Sequence, residues 1–236
     1  DDASCVVHLA GILIETRASR YESANVATTS SVVEAARLAG VDHIVLVSVL
    51  HADPDSGNRY LASKGEAERI VTESGIATTI LRTPILLGAG TAGADSLLRG
   101  ARAGRTTLIG GGRYVLHPLD VDDLSRAILA VCDDLPDGVR VHELVGPEGV
   151  THRDLIARTA QMMGREVSIG SVPTWLAKAA AAVSSRLSGG GMTPTVIDVI
   201  TSEEIVERNA DDALGIELTP LAKTLEKIVA ASEASG

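Results

Sequence analysis

The chain has 236 residues, enough to bury a sizeable core as one large domain or as a domain with a smaller lobe. Hydrophobic residues make up 45%, yet there is no Phe, one Trp and three Tyr, so the core must be Val, Leu, Ile and Ala: a β-branched sheet under Ala-rich helices. A net charge of −10 without a run of Lys or Arg, and a shortage of base-stacking aromatics, excludes nucleic acid and anionic membrane as expected partners.

Cys5 to Gly11 is a short apolar run ending at a glycine, the pattern of a buried strand, with four residues before it. Residues 22–39 carry Val26, Val33 and Ala36 at helical spacing and stop at Gly40. Residues 43–49 form a second buried strand. The polar loop from His51 to Asn58, with Pro54 and Gly57, leads into a helix that runs to about Ser74 and is closed by Gly75. Residues 76–82 are a third strand, ending before Pro84. This alternation indicates an α/β domain with a parallel sheet. Ligands in such sheets bind outside the carboxyl ends of the strands, here Ala10-Gly11, Ser48 and Thr83-Pro84.

The second helix-forming stretch carries the chemistry. Tyr60 and Lys64, four residues apart, share one helix face, and Ala67 and Val71 continue it as a packed surface. A neighbouring ammonium favours phenolate, so the pair suits acid–base work, with Lys64 expected to lower the Tyr60 pKa. Ser48 adds a strand-end hydroxyl twelve residues before Tyr60.

Gly88, Gly90 and Gly93 fit G-x-G-x-x-G ahead of a helical stretch from Asp95 to Ala103, a rival phosphate loop. Pro84 interrupts the preceding strand, and Arg113 stands where the ribose-binding acid belongs, so the primary fingerprint is not expected there. Residues 105–109 read as a strand and 110–112 as a glycine turn. His117 and the aspartates Asp120, Asp122 and Asp123 read as a helix cap with an acidic first turn rather than a metal site. No metal site is expected. Residues 139–145 read as a strand, and Thr151 with Asp154 as a capping box.

After Pro173 the composition changes: an Ala-rich helix to Leu187, a flexible break over 188–191, and helices over 195–207 and 220–231. Domains are therefore expected at 1–172, with insertions after residue 90 that join the substrate-side lobe, and at 173–236, a helical part of that lobe. Trp175 reads as packing, with substrate contact as the alternative. Cys5 and Cys132 lack C-x-x-C spacing, so two reduced thiols in a cytoplasmic protein are expected, with one disulfide as the alternative. The most apolar helical stretch, 175–183, is too short to span a bilayer and contains Lys178.

Taken together, His8 to Gly11, Asn25, Ser48, Tyr60-x-x-x-Lys64 and Arg82-Thr-Pro84 resemble the short-chain dehydrogenases/reductases in order and spacing. The longer stretches 56–66, 108–112, 117–123 and 146–151 resemble the atypical extended reductases, a subgroup that includes the NAD(P)H-carrying accessory subunit of respiratory complex I and its bacterial relatives. The resemblance implies a doubly wound, Rossmann-like parallel-sheet domain with a small helical C-terminal lobe. It implies NAD or NADP as cofactor and hydride transfer to or from a small-molecule substrate. Tyr60 would exchange the proton, Lys64 would hold the nicotinamide ribose, Ser48 the substrate oxygen, and Asn25 a proton-relaying water. Ala10, Gly11, Thr83, Pro84, Ile85 and Leu86 would line the cofactor. The resemblance equally allows a non-catalytic, NAD(P)H-holding subunit of a larger assembly, or a homo-oligomer. The family's opening G-x-x-G-x-x-G loop does not occur upstream of Cys5, so the sequence is read as N-terminally incomplete, lacking the first strands, and weak cofactor binding is expected of these residues alone.

Overall fold

The computed structural model describes residues 3–188 and 190–234; Gly189, inside the break expected at 188–191, lies outside them. The first elements are β1 (Cys5–His8), a π-helical turn over Glu22–Ala27 running into α1 (Thr28–Ala39), β2 (His43–Val49), α2 (Arg59–Thr72) and β3 (Ala77–Thr83). Next come β4 (Leu86–Leu87), α3 (Ala92–Arg102), β5 (Arg105–Ile109), β6 (Val115–Leu116), β7 (Leu119–Asp120) and α4 (Val121–Asp133). Then follow β8 (Val139–Glu143), β9 (Val150–Thr151), α5 (His152–Met162), β10 (Ser168–Val172), α6 (Thr174–Ser188), α7 (Pro194–Ile200), α8 (Asp211–Leu214) and α9 (Leu221–Ala234).

These elements form two compact units that interleave along the chain. The first is Asp1–Thr83, Ala127–Glu143 and Ala179–Val199; the second is Pro84–Arg126, Leu144–Lys178 and Ile200–Gly236. The second unit takes in segments after residue 83, near the insertions expected after 90, whereas residues 179–199 of the expected C-terminal lobe fold with the first unit.

In the first unit a four-stranded parallel sheet has the order β1-β2-β3-β8, as expected of an α/β domain. Strand alternation puts Ile44, Leu46 and Ile80 on one face, where they pack with Val33 and Ala36 of α1, Val41, and Val71 of α2. Gly40, at φ 67°, caps α1 in the left-handed conformation, its N–H reaching the carbonyls of Ala36 and Arg37. Asn58 caps α2, its side-chain oxygen accepting from the N–H groups of Tyr60 and Leu61. Among the described residues β1 pairs only with β2.

Gly65 explains how α2 approaches its own leading loop. A Cβ there would stand 2.2 Å from Pro54 N and 2.3 Å from Asp53 C, both backbone atoms that cannot swing aside. Gly65→Ala is therefore expected to destabilise the protein by about 3 kcal/mol, although alanine is the better helix former. Urea unfolding measures it; an unchanged midpoint would show that the 53–54 loop yields freely.

Two histidines of this sheet are buried in the neutral form. His8 shares a hydrogen with Thr29 Oγ1 at 3.0 Å, and His43 with Thr79 Oγ1 at 3.0 Å. Burial pushes both pKa values below the ordinary 6.5, with Lys64 adding to the effect at His8 and Arg140 at His43. As pH falls through 6.5 the unfolded chain therefore takes up these protons before the folded one does. Their stabilising contribution is complete above 6.5 and is lost below it, by up to about 1.4 kcal/mol per pH unit for each histidine. Unfolding free energies at pH 7.5 and 5.5 check this; a flat profile would mean the folded chain protonates both sites without cost.

In the second unit Leu87, Leu97, Leu108, Leu155, Leu225 and Ile228 form the centre of a core built from β4, β5, α3, α5 and α9. Its strands pair two by two: β5 with β10 and β4 with β7, both parallel, and β6 with β9, antiparallel. The G-x-G-x-x-G stretch follows the two-residue β4, outside the four-stranded sheet. Its glycines serve close packing: a Cβ at Gly93 would lie 2.5 Å from the Leu86 carbonyl oxygen, and one at Gly88 2.2 Å from Val121 Cγ1. Thr91 rather than a glycine caps α3, accepting from Ala94 N–H.

The three aspartates around α4 are held by side chains of the same unit. Lys227 bonds Asp120 at 2.8 and 3.0 Å and Asp122 at 2.6 Å, Thr224 bonds Asp120 at 2.7 Å, and Thr219 and Arg126 bond Asp123 at 2.6 and 2.5 Å. Thr151 and Asp154 form the expected capping pair, with Thr151 Oγ1 accepting from Asp154 N–H at 3.1 Å.

Two expectations fail here. The helix expected over 195–207 ends at Ile200, because the following segment commits its polar groups elsewhere. Glu204 accepts the N–H groups of Ile85 and His117 on its carboxylate and donates its own N–H to Val115, while Asn209 pairs with both backbone groups of Val145. Trp175, read as packing, is 71% exposed.

Candidate active site

The carboxyl ends of β1 and β2 and the first two turns of α2 converge within the first unit. Tyr60 and Lys64 lie on the buried face of α2, with Ala67 and Val71 continuing it as the spacing requires. Lys64 is 6% exposed, and its ammonium donates to the Val47 carbonyl at 3.0 Å. That bond uses one of three N–H donors; the other two have no acceptor among the described residues. Burial pushes the Lys64 pKa down, against the pull of Glu68 one turn on.

Ser48 follows Val47 in β2 and shares the face of Ile44 and Leu46, toward α1 and α2. Its hydroxyl is buried and has no hydrogen-bond partner. Its carbonyl accepts from Thr83 Oγ1 at 3.2 Å, so two of the expected strand-end residues are joined. Leaving a buried hydroxyl unmet costs about 1–3 kcal/mol. Such an atom is informative where it lies beside other unmet donors.

Asn25 stands in the π-helical turn, the kind of helix defect that frequently marks functional sites. Both polar atoms of its side chain hold neighbouring groups. Oδ1 accepts from Ile12 N–H at 2.8 Å, and Nδ2 donates to the Ile12 carbonyl at 3.2 Å and to Ser63 Oγ at 2.9 Å. Ser63 Oγ donates in turn to the Tyr60 carbonyl at 2.7 Å. Asn25 thus ties the loop after β1 to the turn of α2 that carries Tyr60. A Cβ on Gly11 would stand 3.1 Å from Asn25 Oδ1 and 3.9 Å from Lys64 Nζ, so glycine lets that loop pass close. Ala10 and Gly11 are exposed beside it.

Tyr60 differs from expectation in its electrostatics. Its ring lies 5.7 Å from that of Tyr21, and Arg59 sits 5.8 Å above the Tyr21 ring. Burial pushes the Tyr60 phenol well above its ordinary range, and Tyr21 adds to the rise. Desolvation, which disfavours phenolate, outweighs the attraction expected from Lys64. Glu15, buried beside them, bonds Tyr21 N–H and pairs with Arg59 at 3.3 Å. Ser63, Tyr21 and Glu15 escaped the sequence reading. Only Ser63 left a local signal, a hydroxyl at i+3 from Tyr60 able to reach back to its carbonyl.

Pro84, Ile85 and Leu86 belong to the second unit. There Ile85 donates its N–H to Glu204 and accepts from Leu119 N–H, and Leu86 lies in β4 opposite Leu119.

Comparison with known proteins agrees with this architecture. Residues 2–108 match the family described as NAD(P)H-binding. The chain is 26% identical over 163 residues to the mitochondrial NADH-ubiquinone oxidoreductase 40 kDa subunit of Neurospora crassa, covering 69% of this chain and 41% of that one. It is 24% identical over 204 residues to the ceramide reductase of Caulobacter vibrioides, covering 86% and 64%. The chain thus spans less than two thirds of the length of either relative. The structure of MoeE5 in complex with UDP-glucose and NAD superposes with a TM-score of 0.76 at 21% identity, covering 98% of this chain and 80% of that one. Among the described residues no helix is long and apolar enough to cross a membrane. The match over residues 2–108 and the shared fold make this chain similar to Rossmann-type NAD(P)H-binding proteins.

Proposed function

We propose that the chain carries the acid–base side of an NAD(P)-dependent oxidoreductase or epimerase site, built from Tyr60, Lys64, Ser48 and Asn25. The observation that carries this reading is the buried Ser48 hydroxyl without a partner, next in β2 to Val47, whose carbonyl accepts from the buried Lys64 ammonium. They fit a hydroxyl-rich ligand: Lys64 would hold ribose hydroxyls, and Gly11 with Thr83 would line the same site. The nicotinamide, when bound, supplies hydride transfer. Ser48 would orient the substrate oxygen, and Tyr60 would give it a proton. Asn25, through Ser63, would fix the height of Tyr60 against the loop after β1. Burial keeps the Tyr60 phenol protonated at neutral pH, the form that would donate to a substrate oxygen.

A second reading is a non-catalytic, cofactor-holding subunit. Two observations favour it: the depth of Tyr60, 8% exposed, and the similarity to the 40 kDa subunit. Oxidation of NADH or NADPH in the presence of ketones, aldehydes or keto sugar nucleotides separates the two. Turnover that depends on Tyr60 and Ser48 supports the first reading. Cofactor that binds and stays reduced with every substrate class supports the second.

A further inference from the structure

Cys5 opens β1 and Cys132 lies in the last turn of α4, 127 residues further on. Their sulfurs nevertheless stand 3.2 Å apart, with the Cys5 thiol donating to Cys132. Both thiols are free and partly buried, and both belong to the first unit. A disulfide bond is about 2.05 Å long, so closure needs the sulfurs to approach by roughly 1 Å. Among the described residues β1 pairs only with β2, and the chain then runs into Ala10 and Gly11.

We propose that Cys5 and Cys132 form a dithiol modification site, which a small-molecule disulfide of the glutathione class converts into an intramolecular disulfide fastening β1 to α4. Burial pushes the Cys5 thiol up to about 12, with Cys132 adding to the rise, which makes Cys5 the poorer first nucleophile. Cys132 gives up its proton and attacks one sulfur of the oxidised reagent. The reagent's S–S bond breaks, one thiol leaves, and a mixed disulfide remains on Cys132. Cys5, losing its proton in turn, attacks the Cys132 sulfur and expels the second thiol. The protein loses two hydrogens and two electrons, and the reagent is reduced to two thiols.

The test is incubation of the full chain in oxidised and reduced glutathione at several ratios, followed by intact mass, thiol titration in denaturant and non-reducing peptide mapping. The expected result is the loss of two hydrogens, no titratable thiol, and a peptide joining Cys5 to Cys132. Melting should rise by roughly 5–10 °C on oxidation, and amide exchange in β1 should slow; Cys132→Ser should show neither change. Two thiols that stay titratable, or glutathione retained on either cysteine, would overturn the site. A crosslink that leaves both melting and β1 exchange unchanged would overturn the fastening. The mass and peptide readouts on the unsubstituted chain decide the matter even where the serine variant folds poorly.

Discussion

Tyr60→Phe is expected to lower cofactor-coupled turnover by about 10²–10⁴-fold and to leave cofactor affinity unchanged. The substitution removes one oxygen and keeps the ring, so the packing against Tyr21 at 5.7 Å and the helix face over Val71 survive. What disappears is the proton donor. The pH dependence has a definite sign. Burial raises the phenol pKa above its ordinary range, so the protonated form persists through neutral pH. Reduction, which consumes that proton, should therefore hold its rate across pH 6–8 as far as Tyr60 governs it. Oxidation, which needs phenolate, should climb as pH rises. Initial rates in both directions, with the Phe variant as reference, check both statements. A Phe variant that turns over at the unsubstituted rate would remove Tyr60 from the chemistry.

Arg82→Met is expected to cost about 3–5 kcal/mol of stability, the range for stripping the partner from a buried charge. Glu68 on α2 has a side chain only 9% exposed, and Arg82 on β3 bonds it through two nitrogens, at 3.1 Å from Nε and 2.7 Å from Nη2. Arg82 also donates to the Ala52 carbonyl and pairs with Glu143 at 3.6 Å. Without it the Glu68 carboxylate keeps only the attraction of Lys64, one helical turn away. The double variant Arg82→Met with Glu68→Leu should recover most of the loss, because no buried charge then lacks a partner. Urea unfolding of the two single variants and the double measures the coupling. A loss below about 1 kcal/mol in Arg82→Met would mean that solvent already screens Glu68.

Much of the fold was legible because its signals are local. The apolar run from Cys5, the β-branched run 43–49 and the helical spacing before Gly40 are set by period and by stop residues, and β1, β2 and α1 follow them. The same reasoning put Tyr60 and Lys64 on one buried face, since residues four apart on a helix must lie there. The bounds of the interleaved units had no such signal. Residues 179–199 read as part of a C-terminal lobe, yet they fold with the N-terminal sheet. The helix expected beyond Ile200 had adequate propensity and lost to tertiary hydrogen bonds from Glu204 and Asn209.

By itself, then, the sequence determined the elements of the first sheet, the shared face of Tyr60 and Lys64, and the place of Ser48 at a strand end. Each follows from contacts within about one helical turn or one strand. Only the tertiary structure decided that Asn25 clamps Ile12 and Ser63, that burial and not Lys64 sets the Tyr60 phenol, and that Cys5 meets Cys132. Those outcomes depend on which groups are brought together from 13 to 127 residues away and on how much water they lose in meeting. Neither quantity is written in the spacing of residue types along the chain.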